Sequence, residues 1–197
     1  MKRTLLACAV FVSVLAAFNE TLPISSTSGI WGEGFVGPNF TGGTREDQNL
    51  SGFGLNGGAG LAWWVHHNIG LRSQFRFMDY NFRPAADASP KLTYSYMGYG
   101  VWGAAMIRFT HENSKIQPYI GGGGGYFWPF YGTRKADDQV EEIPSDSLEA
   151  TALYGGFLGV FFRIPHNALW KLEGGYEVMG DDYLINIGTG FSFKAFW

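Results

Sequence analysis

The C-terminal stretch Leu184–Trp197 constrains the fold of this chain more than any other segment. Small or polar residues alternate there with mostly apolar ones: Ile185, Ile187, Thr189, Phe191 and Phe193 against Asn186, Gly188, Gly190, Ser192 and Lys194. Successive side chains of a strand point to opposite faces, so the pattern predicts a strand with one apolar and one polar face. A soluble domain rarely exposes such an aromatic strand at its end, whereas the last strand of a closed barrel pairs with the first.

The same stretch resembles a known signal. Asn186, Gly188, Phe191 and Phe193 are similar to the polar-x-Gly-x-x-aromatic-x-aromatic pattern that ends bacterial outer-membrane barrels. The resemblance implies that the assembly machinery of the outer membrane recognises this strand. Lys194–Trp197 follow the second aromatic residue, which departs from the families that stop on it.

The N-terminus has the features of an export signal. A basic start, Met1-Lys2-Arg3, precedes an apolar run from Thr4 to Ala17, which predicts a signal peptide over residues 1–17 with cleavage after Ala16 or Ala17. Leu5-Leu6-Ala7-Cys8 resembles a lipoprotein box, but only seven residues precede the cysteine. Cys8 is the single cysteine of the chain, so the exported part has no disulfide bond.

The composition beyond the signal peptide favours an all-β protein. The chain has 29 glycines and 17% aromatic residues, and no segment with helical periodicity follows the signal peptide. Loss of Lys2 and Arg3 leaves 12 basic residues against 17 acidic ones, which argues against nucleic acid as a partner. Residues 18–28 are expected to form a short lead and residues 29–197 one domain.

Eight strands with regularly alternating connections predict the architecture. The strands are expected at 29–40, 50–65, 69–82, 92–109, 116–130, 150–164, 169–179 and 184–197. Short turns at 66–68, 110–115 and 165–167 alternate with loops at 41–49, 83–91 and 131–149, and a brief turn at 180–182 completes the series. Outer-membrane barrels have an even number of strands, short periplasmic turns and longer extracellular loops. The sequence therefore predicts an eight-stranded antiparallel up-and-down transmembrane β-barrel.

Aromatic residues near the strand ends support a membrane location. Trp63, Trp64, Phe109 and Trp170 fall near the short turns, and Phe77, Tyr80, Phe82, Trp128, Phe130 and Tyr131 near the loops. Two such girdles are typical of barrels in a bilayer. With the closing signal, the exported part resembles the small OmpA-like, OmpX-like and opacity-type surface proteins.

The charged residues of the polar phase are the first candidates for a function. Arg72, Arg76, Arg163, Lys171, Glu173 and Glu177 all take the inward phase. An eight-stranded barrel is only wide enough to be filled by side chains, and buried charges persist when paired. A hydrogen-bonded ionic plug is therefore expected, and a narrow conducting path or proton relay is the alternative.

Three other patterns are candidate sites. Gly121–Gly125 lacks the Lys-Ser/Thr of a phosphate-binding loop and lies in a strand, which predicts a steric role. His66, His67, His111 and His166 all fall in short turns, where solvated side chains are expected, although His66-His67 could bind a metal. The six acidic residues of loop 131–149 lack the spacing of a calcium loop, which favours a solvated, mobile loop. No catalytic, cofactor or metal site is predicted.

The sequence favours a non-enzymatic barrel of the bacterial outer membrane that displays loops for envelope integrity or surface interaction. Lipid, lipopolysaccharide and an unknown ligand at the loops are the expected partners. One alternative is a lipid-modifying enzyme of the outer membrane, although the similar enzymes hold a histidine at the outer end. The other is a soluble lipocalin-like barrel, because Gly29-Ile30-Trp31 resembles the Gly-x-Trp of that family.

Overall fold

The structure, a computed structural model, describes residues 29–45, 48–84, 92–111, 113–136, 139–164 and 168–196. The predicted signal peptide and lead (1–28) lie outside the described residues, as do most of loop 83–91 and turn 165–167 with His166. Within the described ranges, no helix has the length and apolar character needed to cross a membrane.

Nine antiparallel strands make up the described chain. They are β1 (Gly29–Arg45), β2 (Gln48–Trp64), β3 (Ile69–Pro84), β4 (Leu92–Arg108), β5 (Ile116–Ala136), β6 (Gln139–Glu142), β7 (Thr151–Ile164), β8 (Ala168–Met179) and β9 (Asp182–Phe196). Eight of them follow the order β4-β3-β2-β1-β9-β8-β7-β5, and pairing of β4 with β5 closes the ring. The predicted eight-stranded up-and-down barrel is thus confirmed, with the last strand pairing with the first.

The three predicted loops are wrong in extent, and in loop 83–91 the strand β3 continues to Pro84. Residues 41–45 and 48–49 continue the strands, because β1 and β2 remain paired from Thr41↔Gly52 out to Arg45↔Gln48. In the predicted loop 131–149, β5 runs on to Ala136 and pairs with β6, the ninth strand, which lies outside the ring. The polar composition suggested loops, but a paired strand that projects into water satisfies its backbone and carries polar side chains without penalty.

The outer face of the barrel is apolar and its inner face is polar. Along β3, Ile69, Leu71, Phe75 and Phe77 are 43–51% exposed, whereas the alternating Arg72, Gln74 and Arg76 are only 2–6% exposed. On β9, Ile185, Ile187 and Phe191 are 44–49% exposed, as the alternation predicted. A soluble barrel has the opposite arrangement, since apolar side chains then fill its interior.

Two apolar layers close the interior toward its ends. The layer near the short turns contains Trp31, Ala62, Trp64, Met106, Tyr119, Phe157, Phe161 and Leu169. The layer near the loops contains Leu50, Met78, Tyr80, Phe82, Leu92, Tyr94, Trp102, Phe127, Leu153, Met179 and Leu184. Trp64, Tyr80 and Phe82 therefore fill the lumen, which corrects their assignment to the aromatic girdles. Trp63, Phe77, Phe109, Phe130, Tyr131 and Trp170 are exposed, as predicted.

The glycine run of β5 has the expected steric role. Gly121–Gly125 lie within the strand and pair with both β4 and β7. A Cβ atom at Gly121 would overlap the ring of Phe157, and one at Gly123 would overlap the carbonyl oxygen of Gly103. The absent side chains leave room for bulky groups of the neighbouring strand inside the barrel.

Candidate functional site

Ion pairs connect opposite walls of the lumen between the two apolar layers. Nη1 of Arg76 lies 2.5 Å from Oε1 of Glu177, and Nη1 of Arg72 lies 2.5 Å from Oε2 of Glu173. Both arginines are on β3 and both glutamates on β8, and these strands are four places apart in a ring of eight. The side chains therefore cross the full width of the barrel.

Glu33 of β1 is the centre of this network. Its Oε2 lies 2.9 Å from Nε of Arg72 and 3.2 Å from Nζ of Lys171. Ser192 donates a hydrogen bond of 3.3 Å to its Oε1, and Gln74 donates one of 3.5 Å to its Oε2. The sequence did not reveal this role, because apolar residues on both faces of β1 obscure the phase of the strand.

The network balances its charges inside the barrel. Glu33, Glu173 and Glu177 face the basic groups of Arg72, Arg76 and Lys171, and Tyr119 donates a 2.6 Å hydrogen bond to Glu173. Burying a charged group costs free energy unless the group is paired and hydrogen-bonded. Each of these six charged groups takes part in at least one ion pair. The arrangement forms a neutral polar layer that is suited to closing the lumen.

Aromatic rings pack against the guanidinium groups of the two arginines. The guanidinium carbon of Arg72 lies 4.8 Å from the ring centroid of Phe157, and that of Arg76 lies 4.6 Å from that of Trp102. Such cation–π contacts gain strength where water is excluded. The rings thus fix the arginine planes while the glutamates fix their ends.

A cavity of about 340 Å³ opens at the end of the barrel that carries the loops. It lies between the segment 143–149, which follows β6, and the turn between β8 and β9, with Phe127 and Met179 among its lining residues. Ile143 donates a backbone hydrogen bond of 2.9 Å to Gly132 of β5. Side-chain atoms of Ile143, Leu148 and Tyr96 surround Gly132, which attaches this segment to the barrel.

Comparison of the structure with solved proteins identifies the fold. Neisserial surface protein A, NspA, superposes with a TM-score of 0.52 at 14% identity, over 85% of this chain and 97% of that one. The outer membrane protein OprG from Pseudomonas aeruginosa gives a TM-score of 0.54 at 14% identity, again over 85% and 97%. The chain has the fold of a small outer-membrane β-barrel. Its sequence matches no protein-family model and no curated protein.

Arg163 does not join the ion-pair network of the barrel. Its Nη1 lies at the end with the short turns, 3.3 Å from Oδ1 and 3.5 Å from the carbonyl oxygen of Asn113. It has the predicted inward phase, but the strand has reached the rim of the barrel at this point. The prediction of an ionic plug therefore holds for five of its six residues.

Arg108 is a further buried cation that the sequence did not single out. It is 1% exposed, bonds to Oε1 of Gln117 at 2.7 Å, and stacks over Trp64 at 4.2 Å. It also donates to the carbonyl oxygen of His67 in the turn between β2 and β3. Its position between the outward residues Ile107 and Phe109 was the available signal for an inward side chain.

Three histidines meet on the surface at the short-turn end of the barrel. The ring centroids of His66 and His67 are 3.7 Å apart, and those of His67 and His111 are 6.1 Å apart. All three are exposed, as predicted, and the backbone amides of Asn68 and Asn113 donate to Nδ1 of His66 and His111. In the ranges that the structure describes, no three His, Cys, Asp or Glu residues are arranged to hold a metal ion.

The described acidic residues of the segment around β6 are all exposed. Glu141, Glu142, Asp146 and Glu149 are all exposed, whereas Asp137 and Asp138 lie outside the described residues. Exposure agrees with the prediction of solvated carboxylates. The prediction of a loop over 131–149 is wrong for residues 131–136 and 139–142, which form a β-hairpin.

Proposed function

We propose that this protein is a non-enzymatic barrel of the bacterial outer membrane, with a closed lumen, that presents its outer rim for surface interaction or envelope integrity. The observation that carries the proposal is the inverted distribution of polarity. Ile187 and Phe75 project outward while Glu33 and Arg72 are buried inside. A bilayer stabilises an apolar exterior of this kind, and water does not.

The closed lumen favours a role in displaying the outer rim over a role in transport through the barrel. Pairs of side chains from β3 and β8 fill the barrel at the level of the ion pairs, and aromatic residues pack on both sides of them. Eight-stranded barrels have room for side chains rather than for an aqueous channel. We therefore expect no steady current through the barrel in a planar-bilayer recording.

The rim with the loops is the surface proposed to face outward. There β1 and β2 remain paired as far as Arg45 and Gln48, and the β5–β6 hairpin adds the exposed Glu141 and Glu142. The solved protein NspA, which shares the fold, is called a surface protein. Projecting hairpins on a rigid barrel offer a recognition surface without enzymatic groups.

The two other classes of function have less support. The described histidines His66, His67 and His111 lie at the short-turn end, opposite the rim on which a lipid-modifying barrel would need its base. A lipocalin-like barrel requires an apolar interior for its ligand, but Lys171 and Glu177 are among the residues that fill this one.

Residues 1–17 are proposed to direct export, and β9 is proposed to engage the assembly machinery of the outer membrane.

Cell fractionation tests the proposal. Expressed in a Gram-negative host, the full chain is expected in the outer-membrane fraction, where it migrates faster on an SDS gel unboiled than boiled. Protease added to intact cells should cut near Glu141 in the β5–β6 hairpin while the barrel remains protected. A soluble periplasmic protein, or a hairpin that is cut only after the outer membrane is permeabilised, would contradict the proposal.

A further inference from the structure

The cavity at the loop end has walls of two different characters. Phe127 and Met179 line its inner part and are 3% and 7% exposed, and Tyr96 lies beside them. Glu149 and Asp181 line it from the exposed rim. Small-molecule sites commonly combine an apolar wall with a few polar groups, and such sites begin at about 300 Å³.

The exposed charged groups of the cavity are the carboxylates of Glu149 and Asp181, which have the same sign. Asp182, the first residue of β9, also lines the cavity but is 2% exposed and interacts with a neighbouring group of its own. None of the described residues that line the cavity is Lys, Arg or His. Two carboxylates at the edge of a cleft attract cations and repel phosphate, sulfate and carboxylate groups.

The aromatic wall distinguishes among cations. A metal ion such as calcium requires six to eight oxygen ligands, whereas Tyr96, Phe127 and Met179 present carbon and sulfur surface to this cavity. A ligand with an ammonium group and an apolar body can place its charge near Asp181 and Glu149. The rest of the molecule then packs on Tyr96, Phe127 and Met179, where ring faces also favour a cation.

The segment that forms one wall is held in place by the barrel. Ile143 and Leu148 pack around Gly132 together with Tyr96, and these contacts flank the 3-10 turn Ser145–Ser147. On the opposite side, Gly180 has a φ of +60°, which permits the tight turn that carries Asp181. Both walls of the cavity therefore have defined positions before any ligand enters.

We propose that this cavity is a binding site for amphipathic organic cations, small amines with an apolar or aromatic body. The site deepens the proposed function, on which it rests, by naming a ligand class for the outward-facing rim. The bound amine lies with its ammonium group between the carboxylates of Glu149 and Asp181. Its apolar body covers the inner wall.

Calorimetric titration of the full chain, folded in a non-ionic detergent, tests the site with 2-phenylethylamine as the probe. The neutral 2-phenylethanol, which is isosteric with the amine, and the anionic 3-phenylpropionate, which has the same phenylethyl body, serve as controls. We expect saturable binding of the amine alone, weakening as salt is added. The double variant Glu149→Gln/Asp181→Asn should bind about tenfold more weakly, because both neutralised groups contact the ammonium.

The variant Glu141→Gln/Glu142→Gln is the matched control. It makes the same change in net charge on the exposed strand β6, which does not line the cavity, and should leave binding unchanged. Equal binding of the alcohol, an equal loss in both double variants, or no saturable binding would each overturn the site. Fractionation separates the two proposals: amine binding by a protein absent from the outer membrane would refute the proposed function and leave the site standing.

Discussion

Arg76 and Glu177 meet in the middle of the barrel, with Nη1 and Oε1 2.5 Å apart and each side chain no more than 7% exposed. The two residues belong to β3 and β8 and lie 101 positions apart in the chain. Two buried opposite charges that contact each other across a lumen depend on each other, because either one alone would be left desolvated and unpaired.

Reversal of one charge should therefore destabilise the barrel, and reversal of both should restore stability. We expect Arg76→Glu and Glu177→Arg each to lower the free energy of unfolding by about 3–5 kcal/mol. The double variant should recover a large part of that loss. Urea titration of the protein in vesicles measures all four free energies. Strict additivity would contradict coupling, and Arg83→Glu, at an exposed residue, is the control.

Glu33 should be more sensitive than any exposed glutamate. Glu33→Gln removes the carboxylate between Arg72 and Lys171, so two cations lose a partner in the interior. We expect a loss of about 3–5 kcal/mol in the free energy of unfolding. The same substitution at the exposed Glu141 should have no measurable effect. Equal stability of the two variants in urea titration would refute the central place of Glu33.

The lipid-facing side of β9 should not accept a charge. Ile187 is 47% exposed on the outer wall, and an arginine near the middle of the bilayer costs about 2–4 kcal/mol in a barrel. Ile187→Arg is thus expected to reduce the amount of folded, heat-modifiable protein. Val140→Arg is the control, because Val140 is 65% exposed on β6, outside the ring. Normal assembly of Ile187→Arg would contradict the orientation.

Alanine substitution should affect stability differently at an inward-facing and at an outward-facing glycine of the barrel wall. A Cβ atom at Gly121 overlaps the ring of Phe157, whereas one at Gly156 makes an ordinary contact of 3.4 Å with the carbonyl oxygen of Gly121. Gly121→Ala should cost about 1–3 kcal/mol through overpacking. Gly156→Ala should be neutral or slightly stabilising. If urea titration gave the two variants equal stability, the filled interior at this point would be in doubt.

The sequence predicted the barrel well because alternation is a local signal. The alternation over residues 185–192 indicates which side chains point outward without information from any other strand. The interruptions of the alternation predict the short turns. The polar composition of residues 41–45 predicts a loop. Their strand exists because β2 lies beside them, which the segment itself does not encode.

For a related reason, the sequence predicts only part of the ion-pair network. Arg72, Arg76 and Glu177 could be placed inside from the pattern of their own strands. Their partners across the lumen depend on the register around the whole ring, which no single strand determines. Glu33 was missed because Phe35, two residues further along β1, also faces inward and contacts Arg76 and Lys171 through its ring.

Spin labels at consecutive positions of β9 test the inverted barrel most directly. With the protein folded in a lipid bilayer, labels at Ile185→Cys and Ile187→Cys should collide frequently with oxygen dissolved in the lipid. A label at Asn186→Cys should be protected, because Asn186 points inward and bonds to Asn56 at 2.7 Å. We expect this alternation from the inverted polarity of the barrel. Equal oxygen accessibility at all three positions, or access of a water-soluble nickel complex to 185 and 187, would contradict it.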